Sequence, residues 1–255
     1  VYKRQEDKYH NVPGAEEYTH SIQTLSKSRD TFHSISELPS GARVGIVGAG
    51  LSGIELASEL RESRSDLEIL LYDRGPRILR NFPEKLSKYI SNWFSKHNVT
   101  VVPNSIIDRV EPGKIYNNGE PENIDLVVWT AGIQPVEVVR NLPIDISNTG
   151  RVILNQYHQV PTYKNVYVVG DCADLPHAPS AQLAEYQGDQ IADVLKKQWN
   201  NEPLPEKMPE IKIQGFLGSL GDKQGFAYIM DRTVTGRLAS ILKSGVLWLY
   251  KYHNG

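Results

Sequence analysis

The sequence predicts an α/β fold, in which helices cover a parallel sheet. Two short apolar segments, Arg43–Val47 and Leu67–Asp73, have the length of strands, and a helical pattern lies between them. A glycine-rich segment joins the first of these strands to the helix, which completes the repeating unit of parallel sheets. With 255 residues, 40% of them hydrophobic and 23% charged, the chain has an ordinary globular composition and room for one or two domains.

The other elements follow in order along the chain. Residues 21–36 allow a helix, and later helices are expected to begin at Pro83 and near Ala181, where apolar residues recur at helical spacing. Asn117-Asn118-Gly119 indicates a hairpin, because Asn-Gly tolerates the positive φ angles of a type I′ turn. Further strands are predicted at 99–102, 126–129, 152–154 and 166–169, the last of them buried.

Charge and cysteine content exclude several classes of protein. The net charge of -2 provides no overall basic field for nucleic acid. A single cysteine, Cys172, excludes a disulfide scaffold, a C-x-x-C redox pair and a cysteine-rich zinc site. Residues 207–255 carry seven basic and three acidic residues, a net charge of +4. This basic end suits an anionic lipid surface or an acidic partner, and a merely solvated surface is the alternative.

The segment Gly48-Ala49-Gly50-Leu51-Ser52-Gly53 matches the pattern G-x-G-x-x-G between a strand and a helix. In this pattern the first glycine permits the tight turn, the second lets a pyrophosphate approach the backbone, and the third lets the helix pack on the strand. The amides of the first helical turn then face the phosphates. The alternative is a glycine-rich turn that binds no ligand.

Asp73 lies 25 residues after Gly48, at the end of the next strand. This distance suits an acid that binds the ribose 2′-OH of a dinucleotide, and it favours NADH because a carboxylate repels a 2′-phosphate. Arg74 follows immediately and is able to reverse this preference. A second signature, Gly170-Asp171, ends the strand at 166–169, and the carboxyl end of a parallel strand would direct Asp171 into a ligand crevice. A helix-capping aspartate is the alternative there.

The order of these motifs resembles the flavoproteins with two dinucleotide-binding domains, the FAD- and NAD(P)-dependent pyridine nucleotide reductases. Within that group the chain looks most like the type II NADH dehydrogenases, which are NADH:quinone oxidoreductases at the membrane surface. The resemblance covers nearly the whole chain from His10 onward, and five motifs carry it. They are Val12-Pro13-Gly14-Ala15, Gly48-Ala49-Gly50-Leu51-Ser52-Gly53-Ile54-Glu55, Trp129-Thr130-Ala131-Gly132, Val168-Val169-Gly170-Asp171-Cys172-Ala173 and Ala181-Gln182-Leu183-Ala184.

The resemblance implies two Rossmann-like domains, of which the FAD domain is incomplete in this sequence, and a small C-terminal segment. Residues 1–40 would be the exit segment of the first FAD half, 41–135 the NAD(P)H-binding domain, 136–205 the returning FAD half, and 206–255 an interface or membrane-proximal segment. The glycine-rich turn for FAD lies outside this sequence, so we expect these residues alone to bind FAD poorly.

The resemblance also assigns residues to cofactors. Those assigned to NADH are Gly48, Gly50, Leu51, Ser52, Gly53, Asp73, Arg74, Ala131 and Gly132. Those assigned to FAD are Gly170, Asp171, Ala181 and Gln182. Glu55 and Gln182 are the expected catalytic residues, although Glu55 also suits plain support of the helix dipole. Tyr186 stands where related enzymes often have glutamine, so the sequence departs from the family pattern at the expected quinone contact.

Three functions remain open at this point. The first is hydride transfer from NADH to FAD, followed by electron transfer to a quinone, at the cytoplasmic face of the cell membrane. The second is reduction of another acceptor by the same flavoprotein core, and the third is a module that binds NADH without turnover. No metal is required, no nucleic-acid partner is expected, and a homodimer stays open.

Overall fold

The computed structural model describes residues 5–177 and 179–254. They form seven α-helices and one 3₁₀ turn, Gly170–Cys172. The helices are α1 (Ala15–Tyr18), α2 (Leu25–Ser36), α3 (Leu51–Ser63), α4 (Glu84–Lys96), α5 (Glu137–Arg140), α6 (Ala181–Trp199) and α7 (Arg237–Asn254).

Fourteen strands are found in the same described residues. They are β1 (Gln5–Asp7), β2 (Arg43–Val47), β3 (Glu68–Tyr72), β4 (Val99–Val102), β5 (Ile107–Glu111), β6 (Lys114–Asn117), β7 (Glu120–Asn123), β8 (Leu126–Trp129), β9 (Ile133–Pro135), β10 (Gln159–Val160), β11 (Tyr163–Tyr167), β12 (Gly215–Leu220), β13 (Gln224–Ile229) and β14 (Arg232–Gly236).

The described chain divides into two compact units. One comprises residues 5–6 and 133–213, and the other comprises residues 7–132 and 214–254. Both units therefore take segments from distant parts of the sequence. The division of the chain by cofactor stays a prediction.

The larger unit is built on a parallel sheet with the strand order β4-β3-β2-β8. The α/β prediction is confirmed here, because α3 connects β2 to β3 and α4 connects β3 to β4 as crossover helices. The predicted hairpin also forms, since Asn118 and Gly119 join β6 to β7 with φ angles of 53° and 83°.

Both faces of the parallel sheet are covered, which explains why its strands are apolar at successive positions. Val44 and Ile46 belong to one buried cluster, which includes side chains of α3 and α4. Val47 belongs to a second cluster, in which the antiparallel sheet β5-β6-β7 supplies Ile115. The glycine-rich turn thus follows β2, an inner strand of the sheet that is buried on both faces.

Residues 214–254 add an element that the sequence pattern does not predict, a three-stranded antiparallel sheet, β12-β13-β14, followed by α7. Leu220 and Phe226 from this sheet are fully buried in the same cluster as Val44. The ring centroids of Phe216 and Phe82 lie 4.1 Å apart. The C-terminal sheet therefore completes the core of the unit that contains the glycine-rich turn.

One strand prediction in the smaller unit is wrong, and another is confirmed only in part. Residues 152–154 form only isolated bridges at Val152, which pairs with Ile146 and Ala173. The strand predicted at 166–169 instead ends at Tyr167 and pairs antiparallel with β10, and Val166 is 42% exposed. An apolar run becomes a buried strand only where neighbouring strands and a second layer cover it, and within the described residues β11 has β10 as its sole ladder partner.

Candidate functional site

The glycine-rich turn between β2 and α3 is packed closely against the end of β8. Gly48 has a φ of 107°, and a Cβ atom there would lie 2.8 Å from the Cα of Ala131. The hydroxyl of Thr130 donates to the carbonyl oxygens of Val47 and Gly48 at 3.0 and 2.9 Å. Only glycine fits the first position, because both the backbone angle and the space exclude a side chain.

The other two glycines differ in what surrounds them. A Cβ atom at Gly53 would lie 1.9 Å from the carbonyl oxygen of Gly48, so the helix meets the turn without room for a methyl group. A Cβ atom at Gly50 would meet no atom within 4 Å. Gly50 is the N-cap of α3 and brings no side-chain cap, so no capping side chain occupies the N–H groups of the first turn, which include those of Leu51 and Ser52. This arrangement fits a pyrophosphate at Gly50.

A cavity of about 540 Å³ opens at this turn and lies within the larger unit. Six residues that the sequence singled out line it, namely Gly48, Gly50, Asp73, Arg74, Ala131 and Gly132. Three more lining residues, Val12, Trp129 and Thr130, lie in the motifs that carry the family resemblance. The sequence did not single out the other lining residues as site residues, namely His10, Val47, Tyr72, Gly75, Arg80, Ser105, Ile106 and Ile107. Leu51, Ser52, Gly53 and Glu55 do not line the cavity.

Asp73 ties the end of β3 to the glycine-rich turn. Its Oδ2 accepts the N–H of Ala49 at 3.0 Å, and its Oδ1 accepts the N–H of Gly75 at 2.7 Å. The side chain is half-buried and lines the cavity. A carboxylate with two backbone donors is held in one position, so Asp73 presents a fixed acceptor to the cavity.

The N-terminal segment forms one wall of the same cavity. Nε2 of His10 lies 2.9 Å from the carbonyl oxygen of Ala131. Gly132 has a φ of 142°, and a Cβ atom there would lie 3.1 Å from that Nε2 atom. The family resemblance assigns residues 1–40 to the exit segment of the FAD domain. Within this segment, the Val12-Pro13-Gly14 motif is the sequence feature next to His10.

Glu55 binds the C-terminal segment. Its Oε1 accepts the N–H and the hydroxyl of Ser219 at 2.8 and 3.0 Å, and it forms an ion pair with Lys243 of α7. Glu55 and Lys243 are 33% and 28% exposed. One turn further along α3, burial first and then repulsion by Glu62 raise the pKa of Glu59. Acidic side chains of α3 thus contact the C-terminal segment through charged groups that are partly exposed to solvent.

In the smaller unit, Gly170 and Asp171 lie in a 3₁₀ turn after β11. Gly170 has a φ of 74°, and its N–H donates to Oε1 of Gln187 at 2.9 Å. Gln187 is fully buried, and its Nε2 has no partner within the described part of the chain. Asp171 and Gln182 are half-buried, so both side chains are partly accessible. A constrained turn beside an orphaned amide donor fits a polar cofactor segment such as that of FAD.

The pyridine nucleotide-disulphide oxidoreductase family model matches residues 5–188. The chain belongs to this family. It is 56% identical over 250 residues to the NADH dehydrogenase-like protein YutJ of Bacillus subtilis, covering 98% of this chain and 70% of that protein.

More distant members of the pyridine nucleotide-disulphide oxidoreductases agree. A type II NADH:quinone oxidoreductase of Haemophilus influenzae is 26% identical over 82% of this chain, which spans 52% of that enzyme's length. The fold matches NDH2 of Plasmodium falciparum, solved in complex with NADH, with a TM-score of 0.80 at 15% identity over 97% of this chain and 74% of that one. The predicted enzyme class, NADH dehydrogenase-like oxidoreductase, and its cofactors, FAD and NADH, are confirmed at the level of the family.

His158 is buried, and its Nε2 lies 2.8 Å from Oε1 of Gln190, as expected for a packed histidine. Cys172 is partly buried at the end of the 3₁₀ turn. The cavity residues that sequence reasoning missed, His10 and Arg80, carry no local signal, because long-range packing alone brings them to the glycine-rich turn.

Proposed function

We propose that the protein oxidises NADH through FAD and passes the electrons to a membrane quinone. The observation that supports this most directly is the cavity at the glycine-rich turn, with Gly50 facing open space and Asp73 held at its edge. Such a cavity offers amide donors for phosphates and a carboxylate for a ribose. A quinone as the electron acceptor is a narrower function than the family assignment gives.

The proposed roles within the cavity follow its lining. The amides of Leu51 and Ser52 hold the pyrophosphate of NADH at Gly50, and Gly53 keeps α3 close enough for those amides to reach it. Asp73 accepts a ribose hydroxyl, and Ala131 and Gly132 bound the nicotinamide nucleotide. Binding in this fixed cleft orients the dinucleotide and excludes water from it.

For FAD we propose Gly170, Asp171, Ala181 and Gln182. The support is the constrained turn at Gly170 and the half-buried side chains of Asp171 and Gln182. The flavin, when bound, accepts a hydride and releases electrons one or two at a time. We propose that Asp171 accepts hydrogen bonds from the ribityl or phosphate region and that Gln182 lies against the ring, near the quinone.

Glu55 enters the proposal as a proton-relay group. Its carboxylate is partly exposed and paired with the ammonium of Lys243, so water can reach it. An alternative consistent with the same contacts is that Glu55 acts by anchoring Ser219 and α7. Both alternatives predict a measurable effect, and they differ in the effect of removing Ser219.

Membrane attachment is proposed for the C-terminal helix. Exposed apolar side chains lie along α7, namely Leu238, Ile241, Val246, Trp248 and Tyr252. Residues 207–255 carry the net charge of +4, and aromatic rings with basic residues suit the headgroup region of an anionic bilayer. Within the described residues, α7 and the other helices are all too short or too polar to cross a bilayer.

The test is NADH oxidation by the full-length protein with added FAD and a soluble menaquinone analogue, compared with peroxide and a small redox protein as acceptors. We expect turnover to require FAD and to be fastest with the quinone. Faster turnover with another acceptor would replace the quinone in this proposal. Binding of NADH without any flavin reduction would instead favour a non-catalytic module.

A further inference from the structure

The buried face of α6 includes a glutamine. The buried residues of this helix are Leu183, Gln187 and Val194, which recur at helical spacing and so lie on one side of it. Gln187 is 0% exposed and lies two turns into the helix. An amide group in such a place lowers stability unless its oxygen and its nitrogen both find hydrogen-bond partners. The partners of these two atoms therefore indicate what the side chain does.

The oxygen of the Gln187 amide holds the turn after β11. Oε1 accepts the N–H of Gly170 at 2.9 Å, and the φ of 74° at Gly170 lies in the left-handed region that favours glycine. The carbonyl groups of the turn are held as well. Ala173 donates its N–H to the carbonyl oxygen of Gly170 at 2.9 Å, and Nε of Arg151 donates to that of Asp171 at 3.1 Å. Gln187 thus ties α6 to the fixed backbone from which the side chain of Asp171 extends.

The nitrogen of the same amide is unsatisfied. Nε2 of Gln187 is buried and has no hydrogen-bond partner within the described part of the chain. An apolar side chain of similar size would fill the same space without an unsatisfied donor, so packing alone does not account for an amide here. What the amide adds is the acceptor for the N–H of Gly170. The residue type therefore fits a requirement of the turn.

We propose that Gln187 is a positioning residue for FAD, because it fixes the backbone of Gly170 and through it the side chain of Asp171. This role rests on the proposed function, in which Gly170 and Asp171 bind the cofactor. Gln187 does not have to touch FAD to act in this way. It holds the turn in one conformation before FAD binds, so the cofactor does not have to order it.

The experiment measures how fast FAD leaves the full-length, FAD-loaded protein, from the rise in flavin fluorescence after dilution. The variants are Gly170→Ala, Gln187→Leu and the two combined. Gly170→Ala strains the turn without a clash, since an ideal Cβ atom there lies 3.4 Å from Cβ of Ala184. We expect release to be about tenfold faster in each single variant. The double variant should also be only about tenfold faster, because both changes act on the same turn.

Gln190→Leu is the matched control. Gln190 lies on the same helix, and its amide is hydrogen-bonded at both ends, to Nε2 of His158 at 2.8 Å and to the carbonyl oxygen of Pro209 at 2.7 Å. We expect thermal denaturation to show a loss of stability in both leucine variants, with FAD release within about threefold of wild type in the control alone. Gln187→Asn keeps the amide but is one methylene shorter, so it tests the contact to Gly170 if Gln187→Leu does not fold.

The outcomes separate the role of Gln187 from the proposed function. Wild-type release in the Gln187 variants, with faster release in Gly170→Ala, would overturn the positioning role and leave FAD at the turn. Equally fast release in Gln190→Leu would overturn it too, because loss of stability would then explain the effect. So would single effects that multiply in the double variant, since the two residues would act independently. Unchanged release in Gly170→Ala, or a full-length protein that retains no FAD, would contradict the proposed FAD site itself.

Discussion

Asp73 has a structural and a binding role in the same carboxylate, and two substitutions separate them. Asp73→Ala leaves the N–H groups of Ala49 and Gly75 without their acceptor and removes the proposed ribose contact. We expect NADH binding to weaken by about 1 to 3 kcal/mol, together with a loss of stability. Asp73→Asn keeps one carbonyl oxygen, so its loss of stability should be smaller. Calorimetry and denaturant unfolding measure the two effects, and unchanged NADH affinity in a folded Ala variant would contradict the ribose role.

Glu55 has two possible roles, anchoring the C-terminal segment and relaying a proton, and two substitutions distinguish them. Glu55→Gln keeps an oxygen for Ser219 but removes the ion pair with Lys243. Ser219→Ala leaves that ion pair and the N–H contact in place, and removes the hydroxyl that donates to Glu55 and accepts from Lys243. Because the pair is partly exposed, we expect each change to lower the free energy of unfolding by about 1 kcal/mol or less. Steady-state NADH oxidation should fall only in Glu55→Gln. An equal fall in Ser219→Ala would show that Glu55 acts by holding the C-terminal sheet.

In the turn between β2 and α3, alanine substitutions at Gly53 and Gly50 should have opposite effects on stability. Gly53→Ala puts a methyl group 1.9 Å from the carbonyl oxygen of Gly48, and we expect a destabilisation of about 1 to 3 kcal/mol or more. Gly50→Ala meets no protein atom, and its φ of -77° suits alanine. It should therefore fold with a loss of about 1 kcal/mol or less at the N-cap.

NADH affinity should also differ between the two alanine variants. In Gly50→Ala the methyl group occupies the space at which a pyrophosphate would approach, so NADH affinity should fall while thermal unfolding changes little. Thermal denaturation and NADH titration of both variants test this pair. Normal NADH binding by Gly50→Ala would place the phosphates elsewhere.

At the scale of the whole molecule, the C-terminal sheet and the parallel sheet share one core. Phe226 of β13 is fully buried in the cluster that contains Val44. Met230, in the turn between β13 and β14, is 78% exposed. We expect Phe226→Ala to destabilise the unit by about 3 to 5 kcal/mol, because a large buried ring is removed. Met230→Ala is the matched control and should change stability little. A single cooperative unfolding transition shifted only by Phe226→Ala would confirm the shared core, and equal stability of the two variants would contradict it.

Local patterns were sufficient for much of this architecture. The βαβ unit, the turn at Asn118-Gly119, the tight turn at Gly48 and the close packing at Gly53 follow from backbone angles and apolar spacing that neighbouring residues impose. The burial predicted for 166–169 was wrong because burial depends on which layers cover a strand, and that is not a local property. The sheet β12-β13-β14 was missed since its glycine-rich strands lack a clear alternation of apolar and polar residues.

Sequence alone established the α/β class, the dinucleotide-type turn and Asp73 at its expected distance, because each depends on residues that are close along the chain or on a fixed strand–helix–strand geometry. Three further features arise only in the folded chain: His10 and Arg80 join the cavity, Asp73 shares its oxygens with Ala49 and Gly75, and Glu55 meets Ser219 and Lys243. These contacts join residues up to 188 positions apart in the sequence, and packing of the completed core is what brings them together.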